Sequence, residues 1–230
     1  MADTLIPPTP TADDYAREAQ AQEAFGVADD QGDVFGEDPL DTFSAWLRLA
    51  GEHEPNDPNA TSLATVRADG TPDVRVVLLK ELAKNEGRGA FVFYSHTGSA
   101  KGKAMAANPR AALAFHWKTT RRQVRVRGQV RAVSKDMSDA YFASRSRGAQ
   151  IGAWASEQSR DLPDLATLKA RIAEYEARFD GQDVPRPEGW RGYEVVPDEI
   201  EFWVNRPYRL HERLLFTWGG GGWQTKRLYP

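Results

Sequence analysis

The sequence predicts a mainly β protein with peripheral helices, its strands closing into an antiparallel barrel and not a doubly wound sheet. Three observations carry this. Short runs rich in β-branched and aromatic residues recur along the chain, turn signals join most of them with few helices between, and neither a G-x-G-x-x-G after a strand nor a P-loop is present. With 230 residues, 40% of them hydrophobic and 10% aromatic, the chain can bury one sizeable core.

Residues 1–37 are rich in Pro, Ala, Asp and Gln and carry little apolar period, so an acidic mobile tail or lid is expected, at most locally helical. The folded domain is expected over 38–230. It opens with DPLDTFSAWLRLAGEH, where Leu40, Phe43, Trp46, Leu47 and Leu49 fall near helical spacing behind Asp38 as N-cap and Pro39 at the first helical position. TSLATVRADGTPDVRVVLLK reads as two strands turning at Asp69-Gly70, a dipeptide that accepts the positive φ of a tight hairpin. Ala90 to Ser95 is a third strand, and Ser99 to Asn108 a short helix stopped by Pro109. Ala111 to Trp117 and Gln123 to Val133 are further strands, while Lys135 to Arg145 and Leu165 to Phe179 are helical. EIEFWV, RLLFTW and WQTKRLY supply late strands, with the GGGG at 219–222 as a turn and not a phosphate loop.

Composition narrows the chemistry. The absence of cysteine excludes disulfides, thiolate metal sites and cysteine nucleophiles, so redox chemistry requires a bound cofactor. No metal site is expected. Residues 1–40 hold ten acidic residues and one basic residue, Arg17, which leaves the rest of a chain of net charge -3 mildly basic. That balance suits small phosphorylated ligands better than nucleic acid. No run approaches the roughly 18 apolar residues of a membrane span, and the first residues lack the features of a signal peptide, so a cytoplasmic protein is expected.

Four segments carry candidate chemistry. In RVVLLK, Arg75 and Lys80 bracket four apolar residues that read as a strand buried on both faces, and charges beside such a strand need an anion or an exit to water. In KTTRRQVRVRGQVR, Gln123, Arg125 and Arg127 share one face and Val124 and Val126 the other. This is an amphipathic strand with a solvated arginine ladder, whose Gln123 amide could meet a flavin's pyrimidine edge. Tyr141 and Arg145 lie four apart on a predicted helix, a phenol and a guanidinium suited to a phosphate. Arg209, His211 and Arg213 alternate onto one face if extended, forming a cationic wall with a titratable imidazole.

Taken in order, RVVLLK, FVFYS, GSAKGKAMAANPRAAL, HWKTTRRQVRVRG, YFASR, QIGAWASEQS, IEFW, RLHER and the closing RLYP resemble the pyridoxamine 5'-phosphate oxidase family, from about Asp38 to Pro230. The resemblance implies an FMN-binding split barrel, a homodimer, and two FMN sites at the subunit interface. It assigns FMN to Arg75, Val76, Val77, Leu78, Leu79, Lys80, Tyr94, Ser95, Lys101, Gln123, Gln158, Ser159, Trp203 and Arg213. It assigns the substrate, a phosphorylated B6 vitamer, to Lys80, Tyr141, Arg145, Arg209, Leu210 and His211, with Arg209 and His211 as the catalytic pair. The implied reaction moves a hydride from C4' to the flavin, which dioxygen reoxidises to give hydrogen peroxide. Ala100 and Ala149 stand where the family often has Arg and Ser, and the N-terminal Arg and Tyr of some members have no clear counterpart. Two other readings compete: a related FMN oxidase of the phenazine-biosynthesis type, and a non-enzymatic flavin or pyridoxal phosphate carrier.

Overall fold

The computed structural model describes residues 9–23, 34–83 and 87–230. The expected tail lies partly outside these. Within them, α1 (Ala12–Glu23) begins at a reciprocal cap, Thr11 N donating to Asp14 Oδ2 at 2.8 Å and Asp14 N to Thr11 Oγ1 at 3.3 Å. Helix α2 (Pro39–His53) starts as the sequence predicts: Asp38 accepts from the backbone N–H of Leu40 and Asp41, and Pro39 gives up a donor that the first turn could not have used.

Strands β1 (Ala60–Val66) and β2 (Pro72–Leu78) form the expected hairpin, paired from Ala60↔Leu78 to Val66↔Pro72 around Gly70 at φ +84. There follow β3 (Glu81–Ala83), β4 (Ala90–His96), α3 (Ala100–Ala107), β5 (Arg110–Trp117) and β6 (Arg122–Ala132). Next are α4 (Lys135–Ser144), α5 (Arg147–Ala155), α6 (Leu165–Arg178) and β7 (Trp190–Val204). A 3-10 turn at Pro207–Arg209, β8 (Glu212–Gly219) and β9 (Gly222–Arg227) complete the chain. The sheet order is β2-β1-β5-β6-β7-β4-β3, with β8 pairing β7 and β9. The pairs β1–β2, β1–β5, β3–β4, β4–β7 and β8–β9 are antiparallel, as the expected split barrel requires.

The chain divides into two compact units, one of Met1–Pro58, Phe115–Arg125 and Ile200–Pro230, the other of Asn59–Ala114 and Val126–Glu199. In the first, Phe43 of α2 is fully buried edge-on to Phe115 at 4.9 Å, and Trp46 stands edge-on to Phe202 at 5.1 Å. In the second, Phe91, Val92 and Phe93 of β4 are buried and paired with β7, Phe93 opposite Tyr193. Gly128 of β6 lies so close to β7 that a Cβ there would come within 2.0 Å of the Val196 carbonyl oxygen. A separate cluster of Phe142, Ile151, Phe179 and Trp190 fills the space among α4, α5 and α6.

Two expectations need correction. RVVLLK is not buried on both faces, since Val76 is 66% exposed and Leu78 36%. The late strand predicted from EIEFWV begins nine residues earlier, at Trp190, and runs through 15 residues.

Candidate active site

A cavity of about 450 Å³ opens in the second unit. Its first wall comes from the β2–β3 connection. Leu79 is buried, its backbone N–H donates to Asn59 O at 2.9 Å, and the next N–H, of Lys80, donates to Val92 O at 2.8 Å. The chain thus passes from the β1 side to the β4 side in two residues, anchored by Leu79, and Val76, Val77, Leu78 and Lys80 line the cavity.

The second wall is β4 and α3. Tyr94 and His96 share one face of β4, and Ser95 points to the other, buried side. Ser99 caps α3 by accepting from Gly102 N at 3.2 Å. A Cβ on Gly102 would meet Thr97 O at 2.4 Å, so only glycine lets the first turn of the helix sit against the 96–98 backbone. That seating buries Lys101, whose Nζ donates to Gln158 Oε1 at 3.2 Å, while Ser95 Oγ donates to the same oxygen at 3.1 Å. With its oxygen so engaged, Gln158 keeps its amide N–H donors for the cavity.

The third wall is aromatic. Tyr94 stacks on Tyr141 at 4.0 Å and on Trp190 at 5.2 Å. Arg145 lies over the Trp190 ring at 4.9 Å, a cation–π contact. Arg145 is not within the helix it shares with Tyr141 but caps it in extended conformation, φ -74 and ψ 151. Its Nη1 is buried and has no hydrogen-bond partner among the described residues.

Lys80, Lys101 and Arg145 thus line a cavity to which no Asp or Glu among the described residues contributes. Burial, with Arg75 nearby and Asp73 opposing, holds the Lys101 pKa below its ordinary value, and burial lowers that of Arg145. His96 is also held low, by burial and then by Arg145 and Lys101. Cations kept from water without a counter-charge are costly unless an anion joins them. A phosphorylated ligand supplies one, and the orphaned Arg145 Nη1 marks a place where it fits.

The remaining sequence-predicted residues lie elsewhere. Arg75 is committed to its own hairpin, pairing Asp73 at 2.6 Å and donating to Leu63 O and Thr65 Oγ1. Ser159 stands at φ 70 beside a smaller cavity of about 320 Å³ that Gln158 also lines. Gln123, Trp203, Arg209, Leu210, His211 and Arg213 belong to the first unit. The expected alternation of Arg209, His211 and Arg213 along one strand face does not occur. Pro207 starts a 3-10 turn, Tyr208 and Arg209 adopt φ 56 and 63, and β8 begins only at Glu212. Trp203 and His211 rings are 4.5 Å apart, and Arg213 Nε donates to Glu201 Oε1 at 2.8 Å. Tyr208 of the same turn meets Tyr15 of α1 at 4.9 Å. The ladder residues Arg125 and Arg127 keep Val124 and Val126 buried opposite them, as predicted, but pair with Glu201 and Glu199.

Sequence reasoning missed His96 and Trp190 as lining residues. His96 had a signal, the period of two from Tyr94. Trp190 had none, because the strand it begins was not recognised.

The family model described as pyridoxamine 5'-phosphate oxidase matches residues 50–179. The chain belongs to the pyridoxamine 5'-phosphate oxidase family. A second model, the pyridoxine 5'-phosphate oxidase C-terminal dimerisation region, matches residues 190–230. Within this family, the pyridoxine/pyridoxamine 5'-phosphate oxidase of Caulobacter vibrioides is 52% identical over 227 residues, covering 99% of this chain and 98% of its own. That of Sphingopyxis alaskensis is 54% identical over 194 residues, 84% of this chain and 88% of its own. Among solved structures, PhzG from Burkholderia lata, in complex with tetrahydrophenazine-1-carboxylic acid, superposes with a TM-score of 0.78 at 31% identity, covering 85% of this chain and 94% of that one. A pyridoxamine 5'-phosphate oxidase-related, FMN binding protein from Nostoc punctiforme shares the fold, with a TM-score of 0.68 at 16% identity over 85% of this chain and 100% of its own.

Proposed function

We propose that this chain is a pyridoxine/pyridoxamine 5'-phosphate oxidase that uses FMN and dioxygen to make pyridoxal 5'-phosphate, acting as a homodimer. The observation that carries this reading is the cavity of Lys80, Lys101 and Arg145, to which no carboxylate among the described residues contributes and where a buried guanidinium nitrogen has no partner among them. Bound FMN supplies a two-electron acceptor that dioxygen regenerates with release of hydrogen peroxide.

The residues divide the remaining work. Lys80, Tyr141 and Arg145 hold the substrate phosphate, Arg145 as a charged fork already oriented by Trp190. Lys101, Gln158, Ser159, Tyr94, Ser95 and the 75–80 segment hold the flavin, together with Gln123, Trp203 and Arg213. Arg209, Leu210 and His211 face the pyridine ring, where the cation and the imidazole favour loss of hydride from C4'. The enzyme works in the cytoplasm; no helix among the described residues is long and apolar enough to cross a membrane.

The likeness to PhzG favours a second reading, an oxidase of an unphosphorylated aromatic acid. Relatives above 50% identity and the cationic cavity favour the vitamer. Steady-state peroxide and aldehyde formation decide between them. Pyridoxine 5'-phosphate should give equal amounts of both products and phosphate-free pyridoxine far less. Equal turnover of the two substrates would point to the second reading.

A further inference from the structure

Resting on the oxidase reading, we infer that His211 is held as the neutral tautomer protonated on Nε2, meeting the substrate as a hydrogen-bond donor, and that Arg206 is the positioning residue that holds it so.

The argument starts from one hydrogen bond. The backbone N–H of Arg206 donates to His211 Nδ1 at 3.2 Å. A ring nitrogen that accepts carries no hydrogen, and a neutral imidazole with a bare Nδ1 carries its proton on Nε2. Protonating both nitrogens would set the Nδ1–H against the Arg206 N–H, donor facing donor. Burial and the neighbouring Arg209 cation further disfavour the charged ring. The charged groups of this loop are Arg206, Arg209 and Glu212, and the ring lies against Trp203 at 4.5 Å. Nε2 has no partner among the described residues, so its N–H is available to an acceptor. The phenolic oxygen of a 3-hydroxypyridine is an acceptor of that kind.

The loop does not hold this geometry through its turn alone. Tyr208 and Arg209 sit at φ 56 and 63, a left-handed region that costs non-glycine residues free energy and persists only when surroundings enforce it. Beside the packing of Tyr208 on Tyr15, enforcement comes from the loop ends. Arg206 Nε pairs with Glu212 Oε1 at 2.6 Å, the Arg206 side chain being only 10% exposed, and Asn205 N donates to Arg121 O at 3.1 Å. The ion pair therefore ties together the two residues that flank the turn, and the donor to Nδ1 belongs to one of them.

The test uses the FMN-loaded full chain labelled with 15N at histidine. The chain has four histidines, and the spectrum of His211→Gln identifies the His211 signals. Above neutral pH the Nε2 signal should fall in the protonated range and Nδ1 in the bare range. Arg206→Ala should average the two nitrogens and lower kcat about tenfold with KM nearly unchanged, because placement and not binding is lost. Arg206→Lys, which keeps a cation for Glu212, should recover most of both, and His211→Gln, which keeps an amide donor, should outperform His211→Ala. A protonated Nδ1 in the wild type overturns the inference, as does an Arg206→Ala variant with wild-type kcat and unchanged ring nitrogens. Failure of the wild type to oxidise pyridoxine 5'-phosphate would instead remove the oxidase reading, leaving the tautomer measurement intact.

Discussion

Lys101 Nζ donates to Gln158 Oε1 at 3.2 Å, so a buried ammonium at the start of α3 rests on one neutral oxygen, from the residue three past the end of α5. A flavin phosphate would give this cation the anion it lacks. Lys101→Met should weaken FMN binding by roughly ten- to a hundredfold, the worth of a charge-assisted hydrogen bond of ~1.5–3 kcal/mol. Gln158→Ala should weaken it less. Quenching of flavin fluorescence on titrating the apoprotein measures both, and an unchanged dissociation constant for Lys101→Met would exclude the role.

The substrate phosphate should depend heavily on Arg145, since Ala149 lines the same cavity without a hydroxyl. Arg145→Leu should raise the Michaelis constant for pyridoxine 5'-phosphate by roughly ten- to a hundredfold with flavin content unchanged. Ala149→Ser should lower it by roughly tenfold, because a hydroxyl donating to an ionised phosphate makes a charge-assisted hydrogen bond of ~1.5–3 kcal/mol. Steady-state kinetics with flavin content measured alongside is the check. An unaltered constant in Arg145→Leu would place the phosphate elsewhere.

Much of this architecture is legible in the sequence because local chemistry decides it. Asp38-Pro39 fixes the start of α2, Asp69-Gly70 turns the first hairpin, and the Val124–Val126 alternation orients β6. What is hidden depends on tertiary partners. The apolar run 76–79 looks buried from every side, yet Val76 is exposed while Leu79 is not, a difference that depends on what packs over each side chain and not on the run itself. Trp190 follows a Pro- and Gly-rich stretch that reads as loop, and its strand forms because β4 pairs with it from His96 to Phe91. In the site, Lys80, Tyr141 and Arg145 could be named from residue type and resemblance. The turn at 207–209 could not, since left-handed Tyr208 and Arg209 run against their own preferences and meet tertiary partners, Tyr15 against Tyr208 and the Arg206–Glu212 pair across the turn.

Gly128→Ala should be strongly destabilising. Its methyl would lie 2.0 Å from the Val196 carbonyl oxygen, a backbone atom that cannot swing aside, and the strands must part. Overpacking of this kind costs ~1–3 kcal/mol or more, and in a chain of this size each kcal/mol shifts the melting temperature by about 2–4 °C. Gly148→Ala, on α5 with nothing within 4 Å, is the control and should melt at or above the wild-type temperature. Equal melting of the two variants would contradict the packing.

Glu201 should contribute to stability in a pH-dependent way. Burial pushes its carboxyl up, but hydrogen bonds from Arg213 and Arg125 outweigh burial and hold it below the usual carboxylate value. A group lowered in the folded state stabilises fully above its unfolded pKa and ceases to as pH falls through the folded one. Glu201→Gln should therefore be most destabilised relative to the wild type near neutrality, with the gap closing in acid. Urea unfolding across the acid range tests this, and a gap that widens as pH falls would reverse the sign.

The most direct test of the oxidase reading is the visible spectrum of the FMN-loaded protein mixed with pyridoxine 5'-phosphate in the absence of oxygen. The flavin absorbance should bleach within the time of turnover and return when oxygen is admitted, with one peroxide and one pyridoxal 5'-phosphate formed per cycle. A spectrum that stays oxidised with this substrate, while the flavin remains bound, would contradict the proposed function.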